Sequence, residues 1–239
     1  MERRLNTEPA RLQTYRSFLT MHMKDYIQGL HGIGKVHVAG KKNVDQYKFK
    51  SSKDINIRVS DDTKTFACGK PNQIQFVTVE NKIMPTRKID TSHLCYGIVM
   101  KDDILYVTDW NASLCVYDMN GILLKTITND IDGNKLFATS AHITISNDGH
   151  KMFVGDWKNG LVCLDGKGTH ISTIKDNDLN GVDGVCNDGR GNIFVVGCRP
   201  YNVVQYNEDG KKIGVVVKQE DRLNCPRSII FTQEIIDYL

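Results

Sequence analysis

The stretch Leu105-Tyr-Val-Thr-Asp-Trp110 returns as Met152-Phe-Val-Gly-Asp-Trp157 and, more loosely, as Ile193-Phe-Val-Val-Gly-Cys198. A short polar turn and a second apolar strand follow each copy: Leu114-Cys-Val-Tyr-Asp118, Leu161-Val-Cys-Leu-Asp165 and Val203-Val-Gln-Tyr-Asn207. A Gly-containing turn then leads to a third: Leu123-Leu-Lys-Thr-Ile127, His170-Ile-Ser-Thr-Ile174 and Lys212-Ile-Gly-Val-Val216. Tyr106 and Phe153 are 47 residues apart and Phe153 and Phe194 are 41 apart, the excess lying in a polar loop around Asn129-Asp-Ile-Asp-Gly133. A period of this length, made of about four short strands, is what a β-propeller blade requires.

Working outward, three clear repeats occupy residues 94–127, 139–175 and 181–217. An eroded one precedes them in Thr65-Phe-Ala-Cys68, Ile74-Gln-Phe-Val-Thr-Val79 and Met84-Pro-Thr-Arg-Lys-Ile89, and another begins at Cys225-Pro-Arg-Ser-Ile-Ile-Phe231. Residues 232–239 do not continue the pattern. The expected fold is therefore all-β: a partial propeller of about four to five blades over residues 64–239. Residues 31–63 read as a linker with short strands at Val36-His-Val38 and Ile55-Asn-Ile-Arg-Val59. In residues 1–30, Leu5, Leu12, Leu19 and Tyr26 recur every seventh position, and Pro9 confines the predicted short α-helix to residues 10–28. This stripe fits equally a helix packed on the body or the end of a coiled coil, through which the chain would self-associate. Gly29-Leu-His-Gly-Ile-Gly34 follows a helix and precedes a strand, the reverse of a dinucleotide-binding loop, and reads as a helix stop.

Composition narrows the function classes. With 40% apolar and 25% charged residues the chain has the make-up of a globular protein. No apolar run is long enough to span a membrane, and Arg3 and Arg4 precede no signal-peptide core, so a cytoplasmic location without membrane contact is expected. Cys68, Cys95, Cys115, Cys163, Cys186, Cys198 and Cys225 are an odd, scattered set without a C-x-x-C pair. They read as buried reduced thiols, not a zinc site or disulfide framework. Residues 1–53 hold 11 Lys and Arg against 4 Asp and Glu, so a basic arm precedes a slightly acidic body. A solvated helix face explains it more simply than an RNA or acidic partner.

Asp109 and Asp156 occupy equivalent strand ends, where a carboxylate can accept hydrogen bonds from turn amides; a repeated residue at a repeated place is first a structural solution. The candidate partner-binding residues are Trp110, Asn111, Trp157, Asn159, Arg199 and Tyr201. The tryptophans are the only two of the chain and lie where inter-strand loops collect, although inter-blade packing would also use them. Asn111, Asn159 and Asn202 are suited to turn geometry. Asn180-Gly-Val-Asp-Gly184 presents an exposed-looking Asp183 of the kind that binds calcium in propeller lactonases, but Asn-Gly and Asp-Gly are first turn formers. His93, His142, His150 and His170 sit in no nucleophile or zinc motif. No catalytic, cofactor-binding or metal-ligating residue is assigned.

The repeat resembles the NHL-repeat blade: a strand ending in Tyr106-Val-Thr-Asp109, a polar turn with Asn, a strand ending in Val116-Tyr-Asp118, then Asn120-Gly121 and a final strand. Phe153 through Gly168 and Phe194 through Gly210 match progressively less well. With the upstream helix, the whole resembles the C-terminal part of a tripartite-motif (TRIM)-type protein. The resemblance implies an NHL-type propeller that recruits protein or RNA, while ubiquitin-ligase activity in such proteins belongs to a RING whose zinc-ligand cysteines are not in this sequence. The expected function is a non-enzymatic module recruiting a protein partner, as in the substrate-recognition regions of TRIM-type ubiquitin ligases. RNA binding is the alternative, and a calcium-dependent lactonase-like enzyme the more remote one.

Overall fold

The computed structural model describes residues 13–14, 36–37, 55–60, 64–69, 72–79, 83–221 and 226–230, with side chains at 72–76, 86–220 and 226–229. The described strands run β1 (Gln13–Thr14), β2 (Val36–His37), β3 (Ile55–Ser60), β4 (Lys64–Gly69), β5 (Gln73–Val79) and β6 (Ile83–Asp90). There follow β7 (Ile98–Lys101), β8 (Ile104–Thr108), β9 (Leu114–Asp118), β10 (Leu123–Ile127), β11 (Ser140–Ile145), β12 (Lys151–Asp156), β13 (Gly160–Asp165) and β14 (His170–Ile174). Last come β15 (Asn180–Asn187), β16 (Asn192–Arg199), β17 (Asn202–Asn207), β18 (Lys212–Val217) and β19 (Ile229–Ile230). In chain order β2–β6 form the first sheet, in which only the β2–β3 pair is parallel, and β7–β10, β11–β14 and β15–β18 form three antiparallel sheets, the second, third and fourth. The fold is all-β. Among the described residues the only helical piece is a 3-10 turn at Gln219–Asp221, and no helix is long and apolar enough to cross a membrane.

The three sheets fall on the three clear repeats. Upstream, the strand read at residues 55–59 is present as Ile55–Ser60, which pairs along its whole length with β4. One reading there needs correction. Gln13–Thr14, expected within a helix, is extended and pairs antiparallel with Ile229–Ile230. The backbone groups of β19 need partners, and an extended segment supplies them where a helix, its own groups already bonded, would not. The rest of the helical stripe, and with it the coiled-coil and self-association expectations, lies outside the described residues.

The central strands read as continuous apolar runs because both of their faces are covered. In β12, Met152 and Val154 join Leu114, Val116, Ile143, Val162 and Leu164 in a core between the second and third sheets. Phe153, pointing the other way, joins Leu161, Val182, Ile193 and Val195 between the third and fourth. β9 splits likewise: Cys115 and Tyr117 face Ile74, Phe76 and Ile89 of the first sheet. In β16, Phe194 and Val196 turn towards Ile229. β3 packs on β7, the first strand of the second sheet, and the series continues with β7 on β11, β11 on β15 and β15 on β19. The last strands lie outermost, with Leu123, Leu124, Ile171 and Ile213 exposed.

The turn joining the third and fourth strands is built the same way three times. Asp118 Oδ1 accepts the Asn120 and Ile122 amides at 2.9 and 2.8 Å, and Asp165 Oδ1 those of Lys167 and Thr169 at 2.9 and 2.7 Å. Asn207 Oδ1 does the same for Asp209 and Lys211 at 3.2 and 2.8 Å. The side chain thus reinforces a turn that the backbone also closes, the Gly121, Gly168 and Gly210 amides donating to the Asp118, Asp165 and Asn207 carbonyls at 3.1, 2.9 and 2.9 Å.

Two outcomes are expected. Gly160 has φ +100°, and a Cβ there would stand 2.3 Å from the Ile174 carbonyl oxygen. Gly160→Ala should cost about 1–3 kcal/mol in a urea unfolding experiment; an unchanged midpoint would contradict this turn geometry. The second concerns acid. The Ile122 amide holds Asp118, the Asn134 side chain Asp130 and the Ser146 hydroxyl Asp148 below the ordinary carboxylate value. A carboxyl depressed in the folded state adds stability above its unfolded pKa and loses it as pH falls towards the folded one. The urea midpoint should therefore hold from neutrality to about pH 5 and decline below about pH 4. A midpoint that rises on acidification would refute the assignment.

Candidate functional site

Asp109 and Asp156 are clamps. The Asp109 carboxylate, 7% exposed, accepts the Asn111 and Ser113 amides at 2.8 and 2.9 Å and the Ser113 hydroxyl at 2.5 Å. Asp156 is fully buried and holds two segments at once. Its Oδ1 takes the Lys158 and Asn159 amides at 3.0 and 2.7 Å, and its Oδ2 the Ala138 and Thr139 amides at 2.8 and 2.7 Å. The third copy has Gly197, and there Asn202 reaches in from β17: its Oδ1 occupies the space a Gly197 Cβ would take, and its Nδ2 donates to the Asp178 carbonyl at 2.9 Å. Asn202 is thus a buried strand residue and not a turn former.

The turns held by these clamps carry the tryptophans. Ile98 pairs with Val107, Ser140 with Asp156 and Val182 with Gly197. The start of each first strand therefore lies at the same end of its sheet as the turn between the second and third strands. At that end each first strand bulges. Thr108 bonds both Tyr96 and Gly97, and the register slips between Ser140 and Ile143 and again between Val182 and Val185. The bulged pairs are Tyr96-Gly97, Ala141-His142 and Asp183-Gly184, and Arg227-Ser228 stands in the same relation to Ile229. Each pair has one small and one large or charged residue. Crowding requires the small one: a Cβ on Gly97 would lie 2.7 Å from the Ala141 carbonyl oxygen, and one on Gly184 would lie 2.9 Å from the Ser228 Cα. A bulge re-aims the remaining side chain.

The re-aimed side chains meet. Tyr96 donates its hydroxyl to Asp183 Oδ1 at 3.0 Å. His142 Nδ1 lies 2.9 Å from the Asp183 carbonyl oxygen and 3.4 Å from Oδ1, and because a carbonyl only accepts, Nδ1 carries the proton. Arg227 Nη1 is 3.6 Å from Oδ2. Asp183, read from sequence as exposed, has no exposed surface: it belongs to β15 and not to a free turn. Its charge is balanced by Arg227 and bonded by Tyr96, whose phenol is held above its ordinary pKa by burial and by the Asp183 carboxylate.

Aromatic rings cover this polar centre. Trp110 lies 4.4 Å from Tyr96 and 6.2 Å from Trp157 between ring centroids, and His142 meets Tyr96 nearly edge-on at 5.2 Å. The Arg227 guanidinium lies 6.0 Å from the centre of the Trp157 ring, which rests on Gly181. Trp110 and Trp157 are half-buried, and the Arg227 side chain is 50% exposed. The structure brings the two tryptophans together. Asn111 is exposed beside them, and Asn159 donates to the Leu136 carbonyl at 3.2 Å. The left-handed backbone falls not on these asparagines but on Trp110 and Ala112, at φ +63° and +96°. Such conformations in non-glycine residues cluster at functional sites. Arg199 is exposed and Tyr201 half-buried, at the corresponding turn of the fourth sheet.

Tyr96, His142, Asp183 and Arg227 were missed as a group by sequence reasoning. Their signal was a large residue paired with a small one immediately before each first apolar strand. No protein-family model and no curated protein matches the chain. Asp156→Ala is expected to lower unfolding free energy by at least about 3 kcal/mol, since four amides lose a charged acceptor. Equal stability of the variant and parent in urea would refute the clamp.

Proposed function

We propose that the sheets are blades of an incomplete NHL-type β-propeller and that the chain is a non-enzymatic module recruiting a protein partner, in the manner of the substrate-recognition regions of TRIM-type ubiquitin ligases. The observation that carries the reading is the convergence of Trp110, Trp157 and Tyr96 around the half-exposed Arg227 at one end of the sheets. Tryptophan, tyrosine and arginine are the residues that dominate interface energetics. Each is held here by its surroundings, so binding costs little ordering.

Binding accounts for these residues better than catalysis does. Asp109 and Asp156 are saturated by turn groups, and the Asp183 carboxylate faces a guanidinium where a calcium site would need it to face the ion. A cytoplasmic setting is in keeping with Cys95, Cys115, Cys163, Cys186 and Cys198, all unbridged. The combined Trp110→Ala, Trp157→Ala variant should lose the partners that the parent retains in crosslinking from native extract, with its melting temperature preserved. Partners captured unchanged by that variant would sink the proposed face.

A further inference from the structure

We infer that Ile131, at the tip of the β10–β11 loop, is an anchor that enters an apolar pocket of the recruited protein, and that the rim of this pocket is basic. This rests on the protein-recruitment reading and adds to it the chemistry that the partner must offer.

Residues 128–139 separate β10 from β11, whereas 175–179 suffice between β14 and β15. The added length is firmly held. Asp130 Oδ1 accepts the Asp132 and Asn134 amides at 3.0 and 2.8 Å, and its Oδ2 accepts from Asn134 Nδ2 at 3.0 Å. The Asp130 amide donates to the Asn134 carbonyl at 2.9 Å, the Leu136 amide to the Thr128 carbonyl at 2.9 Å, and Asn129 and Lys135 form an antiparallel bridge. At the foot of the loop, Leu136 and Phe137 are buried in the core between the second and third sheets. Asp156 accepts the Ala138 and Thr139 amides and Asn159 donates to the Leu136 carbonyl, so the loop is bonded to the turn that carries Trp157.

Ile131 is 86% exposed, against 60% for Ile122, the next most exposed large apolar side chain among the described residues. Single apolar residues on a surface are ordinary, and Leu124, Ile171 and Ile213 recur at matching positions of the outermost strands. Ile131 belongs to no strand and stands in a length of loop that residues 175–179 lack. Long loops in compact domains are disproportionately functional. An anchor fixed before binding loses little freedom when a partner covers it. The flanking residues choose the pocket. Both are aspartates, Asp130 half-buried and Asp132 exposed, so a rim that meets them gains from Lys or Arg. The same two carboxylates disfavour an anionic membrane surface and a nucleic-acid strand.

The test replaces Ile131 by the photo-crosslinker benzoylphenylalanine in the full 239-residue chain and irradiates it in native extract. The attachment residue is mapped by mass spectrometry, and the purified partner is titrated calorimetrically into the parent and its variants. Attachment should fall in an apolar pocket with Lys or Arg at its rim, and the parent's affinity should fall as salt rises. Ile131→Asp should weaken binding at least about tenfold, and Ile131→Val, one methylene smaller, by no more than about fourfold. Both variants should melt with the parent, because the side chain they change is 86% exposed. Asp132→Asn should flatten the salt dependence. Attachment to lipid, to nucleic acid, to a second copy of this chain or to no protein would overturn the inference, as would a partner that binds Ile131→Asp like the parent. A partner indifferent to Ile131→Asp but lost in Trp110→Ala, Trp157→Ala would remove the loop anchor and leave the recruiting face standing. A partner indifferent to both would remove the recruiting reading as well.

Discussion

Burial of the central strands on both faces is the constraint from which the remaining architecture follows. In an extended strand alternate side chains point in opposite directions, so Val154 and Phe153 cannot share a neighbour. Each sheet then needs another sheet on either side, and the first strands are drawn against one another from β3 through β19. Solvent reaches the outermost strands and the two ends. There the polar residues collect, and turns rather than cores decide the geometry.

The turns show how one mechanical task is met by different residues. Asp156 ties the turn after its strand to the loop before β11 with four amide bonds. Asp109 does related work with help from Ser113. In the fourth sheet the aspartate is replaced by Gly197, and Asn202 fills the vacated space while binding a carbonyl instead of amides. Loss of the Asp-Trp pair in that copy is therefore a change of clamp. The corresponding turn carries Arg199 and Tyr201 in place of a tryptophan.

The candidate site arises from the same crowding. Where first strands approach most closely, one residue of each bulged pair must be small, and the other is free to vary. Gly97 and Gly184 meet the steric demand, and Tyr96 and Asp183 supply the chemistry. Ala141 and His142 exchange these roles. The aromatic cover comes from turns that the aspartate clamps hold in place, so the placement of both tryptophans depends on Asp109 and Asp156.

The strands of the three clear repeats, their order and the importance of Asp109 and Asp156 were legible in the sequence, because hydrophobic alternation and residue identity recur at a fixed period. Trp110 and Trp157 were legible for the same reason. Gln13–Thr14 was misread because a sparse heptad stripe says nothing about a distant strand in need of a partner. Tyr96, His142, Asp183 and Arg227 stand 46, 41 and 44 residues apart and share no residue type, so no pattern joins them. Local periodicity determines which segments are strands, since it reflects short-range backbone geometry and burial. Which side chains converge on Asp183 was decided only by tertiary structure, since that depends on how separate sheets pack and where their bulges turn a side chain.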